Sequence, residues 1–170
     1  MAQNTIKLKS YSSIMLEKVH ATLLQATYAI IPRMLLEIMA GDFVLAHITA
    51  GGNVLPTMVA FENELEGQGI DTAYEAADPV QVWIPQRGDE AYMILADTEN
   101  VAIGTALESN GAGYLQEHTP GVTPDSDGDV TVYTNQIVAV ALEALNLNDS
   151  SCAESSGALG FNKRIKVRIV

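Results

Sequence analysis

The residue types best suited to metal binding or nucleophilic catalysis are rare in this sequence, and their spacing favours neither chemistry. They are His20, His47, His118 and Cys152. No His-x-x-x-His or Cys-x-x-Cys arrangement occurs, so a zinc site has no support. His47 alternates with apolar residues in FVLAHIT (43–49), which predicts a sheet residue with a hydrogen-bond partner. Cys152 lies in the polar run NDSSCAESSG, which predicts a loop with a free thiol, as in a reducing compartment.

The aspartates of DSDGD (125–129) form the one cluster that suggests a calcium loop. An EF-hand loop takes oxygen ligands at alternating positions, with glycine at the sixth and a bidentate glutamate at the twelfth. Counted from Asp125, Gly128 stands fourth and Gln136 stands twelfth. The spacing therefore predicts a solvated turn, since Asp accepts turn geometry and bonds its own backbone. We expect no metal here.

Serine nucleophiles and phosphate loops also lack their sequence context. Ser12, Ser109 and Ser151 do not stand in a Gly-x-Ser-x-Gly frame. SNGAGYL (109–115) has two glycines but leads into a predicted strand, without a helix N-terminus to bind an anion. Asn110-Gly111 instead predicts a hairpin turn. We therefore expect no catalytic residue, no cofactor and no enzymatic activity.

The stretch QVWIPQRGDEAYMIL (81–95) contains Arg87-Gly88-Asp89, a tripeptide known as an adhesion signal. Apolar residues alternate on both sides of it, with Val82 and Ile84 before and Tyr92 and Ile94 after. Two alternating runs separated by Pro, Gly and charged residues predict a β-hairpin. We interpret Arg87, Gly88 and Asp89 as its exposed turn, and recognition of a host surface is the alternative.

Charge is distributed unevenly along the 170 residues, whose net charge is −12. Residues 19–162 hold 20 acidic residues against two basic ones, Arg33 and Arg87, a net charge of −18. A body this acidic repels phosphate backbones and anionic lipid, so we expect neither nucleic acid nor membrane as a partner. The basic ends could pair with the acidic body or with another protein.

Short apolar runs broken by Gly, Pro, Asn and Asp dominate the chain, which is 48% hydrophobic and 6% aromatic. About ten such runs predict an all-β protein, a compact barrel or sandwich over residues 34–170. Residues 1–33 are expected to form an N-terminal arm, with a helix over 12–31 because Met15, Val19, Leu23, Ala26 and Ile30 keep helical spacing. A strand is the alternative, since HATLLQATYAII (20–31) is rich in Thr, Ile and Tyr. In the last run, Ile165, Val167 and Ile169 are predicted to face the core, and the basic residues between them to guard a sheet edge.

The order and spacing of the turn residues over roughly 34–170 resemble the small decoration or cement proteins of tailed-phage capsids. The residues that carry the resemblance are Glu62-Asn63, Gly67, Gly69, Asp71, Tyr74, Asp78, Gly88-Asp89-Glu90, Gly104, Leu107-Glu108-Ser109, Gly113 and Ala141-Leu142-Glu143. In this interpretation the Gly and Asp positions are turn residues that set the fold.

The resemblance implies a β-rich structural protein of the virion, assembled in the host cytoplasm and located on the capsid exterior. Its implied partner is the major capsid protein, which it would cement as a homotrimer, without catalytic residues. Residues outside the better match, including Lys7, Lys9, Tyr11 and Lys18, are expected to contact the capsid or neighbouring copies. The alternative is a non-enzymatic module that recognises a host surface or carbohydrate from the particle.

Overall fold

In the computed structural model, the chain is described over residues 7–9, 14–20, 29–39, 43–75, 78–120, 123–124, 130–131, 134–148 and 164–170. Those residues form fifteen short strands and one 3-10 helix, Glu64–Glu66, and contain no α-helix. The predicted all-β class is confirmed. The single helical turn lies in the acidic loop 62–78, where the glycine-punctuated sequence permits little more.

Five strands close into a ring. They are β2 (Ile14–His20), β3 (Leu35–Ile38), β4 (Phe43–Ala46), β5 (Met58–Ala60) and β6 (Pro79–Ile84). The order around the ring is β2-β4-β3-β5-β6, and β6 pairs back with β2. All of its pairs are antiparallel except β2 with β4. Each strand of the ring has two neighbours, although β2 meets β4 only through the pairs Val19 with Phe43 and His20 with Val44.

A six-stranded antiparallel sheet is the second unit. Its strands are β1 (Lys7–Lys9), β7 (Glu90–Ile94), β9 (Ala106–Ser109), β10 (Leu115–Glu117), β13 (Ala139–Ala141) and β15 (Arg164–Ile169), in the order β1-β7-β15-β13-β9-β10. Two small pairs complete the described part: β8 (Asn100–Val101) with β14 (Leu145–Asn146), and β11 (Thr123–Pro124) with β12 (Val130–Thr131).

The core fills the inside of the ring and the space between the ring and the six-stranded sheet. Leu36, Val44, Met58, Ala60 and Val82 belong to one buried cluster built from ring strands. Their sequence neighbours Leu35, Val59 and Trp83 belong to a second cluster, shared with Met93, Leu107 and Ile165 of the sheet. Since successive strand residues point to opposite faces, β3, β5 and β6 bury both faces. This explains their nearly continuous apolar sequences.

The helix expected over 12–31 is wrong where the chain is described, because Ile14–His20 is strand β2. Six consecutive residue pairs join it to β6, from Ile14 with Ile84 to Val19 with Pro79. As a strand, β2 supplies hydrogen-bond partners for backbone groups of both β4 and β6. These bonds outweigh the weak helical spacing of its apolar residues. An arm can also add to a sheet as a strand, so the division into residues 1–33 and 34–170 stays a prediction.

The hairpin expected around Arg87 is also wrong, because the two strands flanking the turn do not pair with each other. β6 belongs to the ring and pairs with β2 and β5, whereas β7 belongs to the sheet and pairs with β1 and β15. The turn at 85–89 therefore carries the chain from one unit to the other. Alternation reports that a strand has a buried face, but it does not identify the neighbouring strand.

The turn predicted at Asn110-Gly111 is confirmed. β3 and β4 pair across residues 39–42, and β9 and β10 pair across the Asn110-Gly111 loop. Asn110 Oδ1 accepts hydrogen bonds from the amides of Ala112 and Tyr114, at 2.9 and 3.1 Å. Gly111 has φ +81°, and a Cβ there would lie 2.8 Å from the Ala50 nitrogen, so glycine is required.

The final strand has the predicted faces but not the predicted place. Ile165, Val167 and Ile169 are buried, at 0, 0 and 3% exposure. β15 is not an edge strand, because it lies between β7 and β13. Its basic residues are therefore not needed to block an edge, and two of them pair with acidic residues of other segments.

Tyr74 provides a test that uses alkaline pH. Its hydroxyl donates to the Phe61 carbonyl at 2.8 Å and accepts from the Gln81 amide at 3.3 Å, and burial raises its pKa to about 12. Tyr74→Phe should reduce the unfolding free energy by about 1 kcal/mol near neutral pH, because both backbone groups lose their partner.

The wild type should lose its stability advantage over Tyr74→Phe as the pH rises from about 10 towards about 12. The unfolded tyrosine releases its proton near 10 whereas the folded one keeps it, so the wild type alone loses this contribution as the pH rises. Urea unfolding of both proteins across this range measures the difference. A gap that stays constant, or widens, would contradict the assignment.

Candidate functional site

Asp71 bridges two arginines from different units. Arg33, two residues before β3, is fully buried and donates to Asp71 Oδ1 and to the Ile70 carbonyl, both at 3.1 Å. Arg164, the first residue of β15, donates to both Asp71 oxygens at 2.9 and 3.1 Å. Burial, followed by the neighbouring Arg164 charge, lowers the pKa of Arg33 to about 10. This cluster joins the segment before β3 of the ring to β15 of the sheet. Both arginines of the cluster are engaged by Asp71.

Ser109, His47 and Glu37 lie in a row that superficially resembles a catalytic triad. Ser109 Oγ is 2.8 Å from His47 Nδ1, and His47 Nε2 is 3.7 Å from Glu37 Oε2. The serine is fully buried and also accepts from the Gly111 amide, and Nε2 lies 3.1 Å from the Asn53 carbonyl. Since a nucleophile must reach its substrate, we interpret the row as a structural tie. The predicted hydrogen-bond partner of His47 is confirmed.

Glu108 and His118 form a second carboxylate–imidazole pair, which sequence reasoning did not identify. Glu108 is 4% exposed, and its Oε2 contacts His118 Nδ1 at 2.5 Å. Its other oxygen accepts from Gln116 Nε2 at 3.0 Å. Glu108 thus holds the ring of His118, which lies at the surface. The signal available in the sequence was alternation in β9, which places Glu108 and Ala106 on the same face.

A surface groove of about 500 Å³ lies over the outer face of the six-stranded sheet. Its floor includes Ala106 of β9 and Val140 of β13, whose sequence neighbours Leu107 and Ala139 point into the core. Segments from around the sheet form the remaining walls: Arg87, His118, Thr134, Asn135, Gln136, Ile137 and Val170. Its size is within the range of small-ligand sites.

The Arg87-Gly88-Asp89 turn is present, but it is not exposed throughout. Arg87 is exposed and lines the groove, whereas Asp89 is fully buried, so the prediction of an exposed Asp89 is wrong. The Asp89 carboxylate accepts from the Gln86 amide at 2.9 Å, and its backbone amide donates to the Gln86 carbonyl at 3.0 Å. The carboxylate is used to shape the turn.

Three of the other predicted contact residues belong to strands β1 and β2. Lys7 and Lys9 belong to β1 at one end of the sheet and pair with Ala91 and Glu90 of β7. Lys18 belongs to β2, opposite Val80. Tyr11, Cys152 and the aspartates of 125–129 lie outside the described residues. The role of the lysines and Tyr11 in contacts stays a prediction.

Among the residues that the structure describes, no three or more His, Cys, Asp or Glu side chains gather where a metal ion could be held. No helix in that part of the chain has the length and apolar character needed to cross a membrane.

The chain was compared with known proteins. No protein-family model matches it, and no curated protein matches it. Among solved structures, it is similar to the crystal structure of the head fiber gp8.5 N base in bacteriophage phi29. The TM-score is 0.49 at 10% sequence identity, and the match covers 92% of this chain and 95% of that chain.

We expect that replacing the Asp71 carboxylate with an amide destabilises the protein. Asp71→Asn should lower the unfolding free energy by about 2 kcal/mol, because buried Arg33 and Arg164 would both lose the carboxylate that they hydrogen-bond. This decrease is smaller than the one expected for a fully buried ion pair, since the Asp71 side chain is 43% exposed.

Glu90→Gln is the matched control for Asp71→Asn, since it removes the charge that pairs with Arg168, whose side chain is 51% exposed. It should cost at most about 0.5 kcal/mol. Chemical denaturation measures the free energy of unfolding of both variants. Equal decreases would show that the Asp71 bridge stabilises the protein no more than an exposed ion pair does.

The two charged residues of the turn at 86–89 have different surroundings, so we expect their replacement to have different effects on stability. Arg87→Ser should change the unfolding free energy by no more than about 0.5 kcal/mol, since Arg87 is exposed. Asp89→Ser should lower it by about 2 kcal/mol, because a buried carboxylate that accepts an amide is lost. Thermal melting of the two variants decides this; an Asp89→Ser protein as stable as the wild type would refute the role given to the carboxylate.

Proposed function

We propose that this protein is a non-enzymatic structural protein of a tailed phage, which binds the outside of the capsid and cements neighbouring major capsid subunits. The observation that carries the proposal is where the residues shared with capsid decoration proteins lie. Several of them, among them Asp71, Tyr74 and Asp89, make contacts that hold the fold together, which supports a resemblance of architecture.

Three acidic or aromatic positions of the resemblance make specific ties. Asp71 bridges Arg33 and Arg164, Tyr74 joins Phe61 to Gln81, and Asp89 shapes the turn between the ring and the sheet. Each tie connects segments that are distant in the sequence or sets a change of direction. A protein that shares these residues in order is expected to share the arrangement that they impose.

Two further positions of the resemblance restrict the backbone. Gly113 has φ +77°, and a Cβ there would lie 3.1 Å from Ala46 Cβ and 3.2 Å from the Leu35 carbonyl. A side chain at Gly113 would therefore combine an unfavourable backbone conformation with a crowded site between the ring and the β9–β10 loop. Glu143 Oε1 accepts from the Lys166 amide at 2.8 Å, next to β15.

An apolar patch at one end of the ring supports a role in binding other proteins. We define it as Ile38, Phe43 and Leu55, which are 46, 39 and 75% exposed. The Met39 amide bonds the Phe43 carbonyl, which places Ile38 and Phe43 near each other at the β3–β4 connection. Ile38 and Leu55 line the same small surface pocket. Exposed apolar side chains that gather in this way are typical of contact surfaces.

The oligomeric state and the arm complete the proposal. A homotrimer gains from linkage, because the second and third contacts with the shell become intramolecular. The basic residues at the N-terminal end, Lys7, Lys9 and Lys18, have opposite charge to the acidic body of a neighbour, and Tyr11 lies among them. The second candidate, a displayed host-surface or carbohydrate recognition module, is favoured by exposed Arg87 at the groove.

Capsid binding is the test. The purified chain should co-sediment with capsids of its own phage, and decorated particles should open at a higher temperature than bare ones. Leu55→Asp should weaken binding by about tenfold or more, because an interface would have to bury the new carboxylate. Sedimentation equilibrium of the free protein should give the mass of a trimer.

Ile103→Asp is the matched control, since Ile103 is 71% exposed and lies in the turn after β8, outside the apolar patch. It should bind capsids as the wild type does. No binding of the wild-type chain to capsids would refute the function. Binding that neither substitution changes would refute the apolar patch as the contact surface.

A further inference from the structure

We propose that the groove over the six-stranded sheet binds an extended peptide segment that carries one carboxylate among neutral and aliphatic residues. The carboxylate would pair with Arg87, and an aliphatic neighbour would pack on the groove floor. The proposal assigns a partner chemistry to a surface separate from the apolar patch, and it does not depend on capsid binding.

Arg87 is distinctive because of what surrounds it. It is one of two basic residues in 19–162, and the other, Arg33, is fully buried against Asp71. In the described part of the chain, no hydrogen bond or ion pair engages the Arg87 guanidinium. An arginine fork that is exposed beside a concave surface is suited to bidentate pairing with a carboxylate.

The lining of the groove is compatible with a bound anion. None of the described side chains that line it is a carboxylate. Two acidic groups on this face are already engaged, Glu108 by His118 and Gln116, and Glu90 by Arg168. A single carboxylate entering beside Arg87 would therefore meet no opposing carboxylate in the wall. A polyacidic segment would still be repelled by the rest of the body, which is why the proposal specifies one charge.

The floor and rim fit the remainder of a short peptide. Ala106 and Val140 are small or branched apolar residues on the outer face of adjacent strands, β9 and β13. Ile137 and Val170 rise beside them and are 43 and 40% exposed, so a side chain placed there would cover apolar surface. On the rim, Thr134 and Asn135 offer donors and acceptors of the kind that bind a peptide backbone.

His118 would fix the orientation of the bound peptide. Its Nδ1 faces the Glu108 carboxylate, which favours the tautomer that donates from Nδ1 and leaves Nε2 as an acceptor. A backbone N–H of the peptide is a suitable donor to that nitrogen. The carboxylate would thus bind at the Arg87 side of the groove, while the backbone would be fixed at the His118 side.

The test uses the full chain and two capped tripeptides, acetyl-Val-Glu-Val-amide and acetyl-Val-Gln-Val-amide, followed by amide chemical shifts in NMR titrations. The Glu peptide should shift the resonances of Arg87, His118 and residues 134–137. The Gln peptide should bind about tenfold more weakly, because it lacks the charge that strengthens the pair with Arg87. Arg87→Ala should weaken binding of the Glu peptide by a similar factor.

Arg168→Ala is the matched control, since it removes an arginine that already pairs with Glu90 and does not line the groove. It should bind the Glu peptide as the wild type does. Equal binding of the two peptides, or no effect of Arg87→Ala, would overturn the proposal. Shifts of the same resonances by a panel of neutral oligosaccharides, but not by the peptides, would also overturn it and identify a carbohydrate site. Capsids are absent from the assay, so these outcomes do not bear on capsid binding.

Discussion

The contact between the ring and the six-stranded sheet is the constraint on which the rest of the structure depends. Strands β3, β5 and β6 must be apolar on both faces, because one face fills the ring and the other meets the sheet. Trp83 lies at this contact, fully buried, with Phe61 packed edge-on against it at a centroid distance of 6.5 Å. A ring of five short strands could not bury enough surface alone, so each unit stabilises the other.

Polar residues hold this apolar contact in register. Asp71 joins Arg33 to Arg164 across the two units, and Ser109 of the sheet meets His47 just after β4. Apolar contacts have no preferred direction, whereas a hydrogen bond depends on both distance and angle. Arg33 also adopts φ +89°, a conformation that costs a non-glycine residue about 1–3 kcal/mol and persists only where surrounding bonds fix it. The ties therefore contribute specificity of arrangement more than net stability.

The sequence allowed the class, most strand positions and the inward face of β15 to be predicted, because alternation and turn residues are local signals. It did not allow strand partners to be predicted. Trp83 and Met93 lie on either side of the Arg87 turn, and only tertiary packing decides that their strands enter different units. The groove was missed for the same reason, since Arg87, Ala106, His118 and Val140 are distant in sequence and meet only through strand order. Asp89 was misplaced because a turn residue can point inward to bond its own loop.

Several side chains of reactive types in the described part of the chain take part in structural contacts. His47, Ser109, Asp71 and Glu108 are the kinds of side chain from which catalytic sites are built, yet each is engaged in a contact that maintains the fold. In the described part of the chain, the groups available to partners include apolar side chains such as Leu55 and the exposed Arg87 beside a groove. Such groups bind weakly one at a time, and their effect grows when several copies act together on a repeated surface. A shell of identical subunits is a surface of that kind.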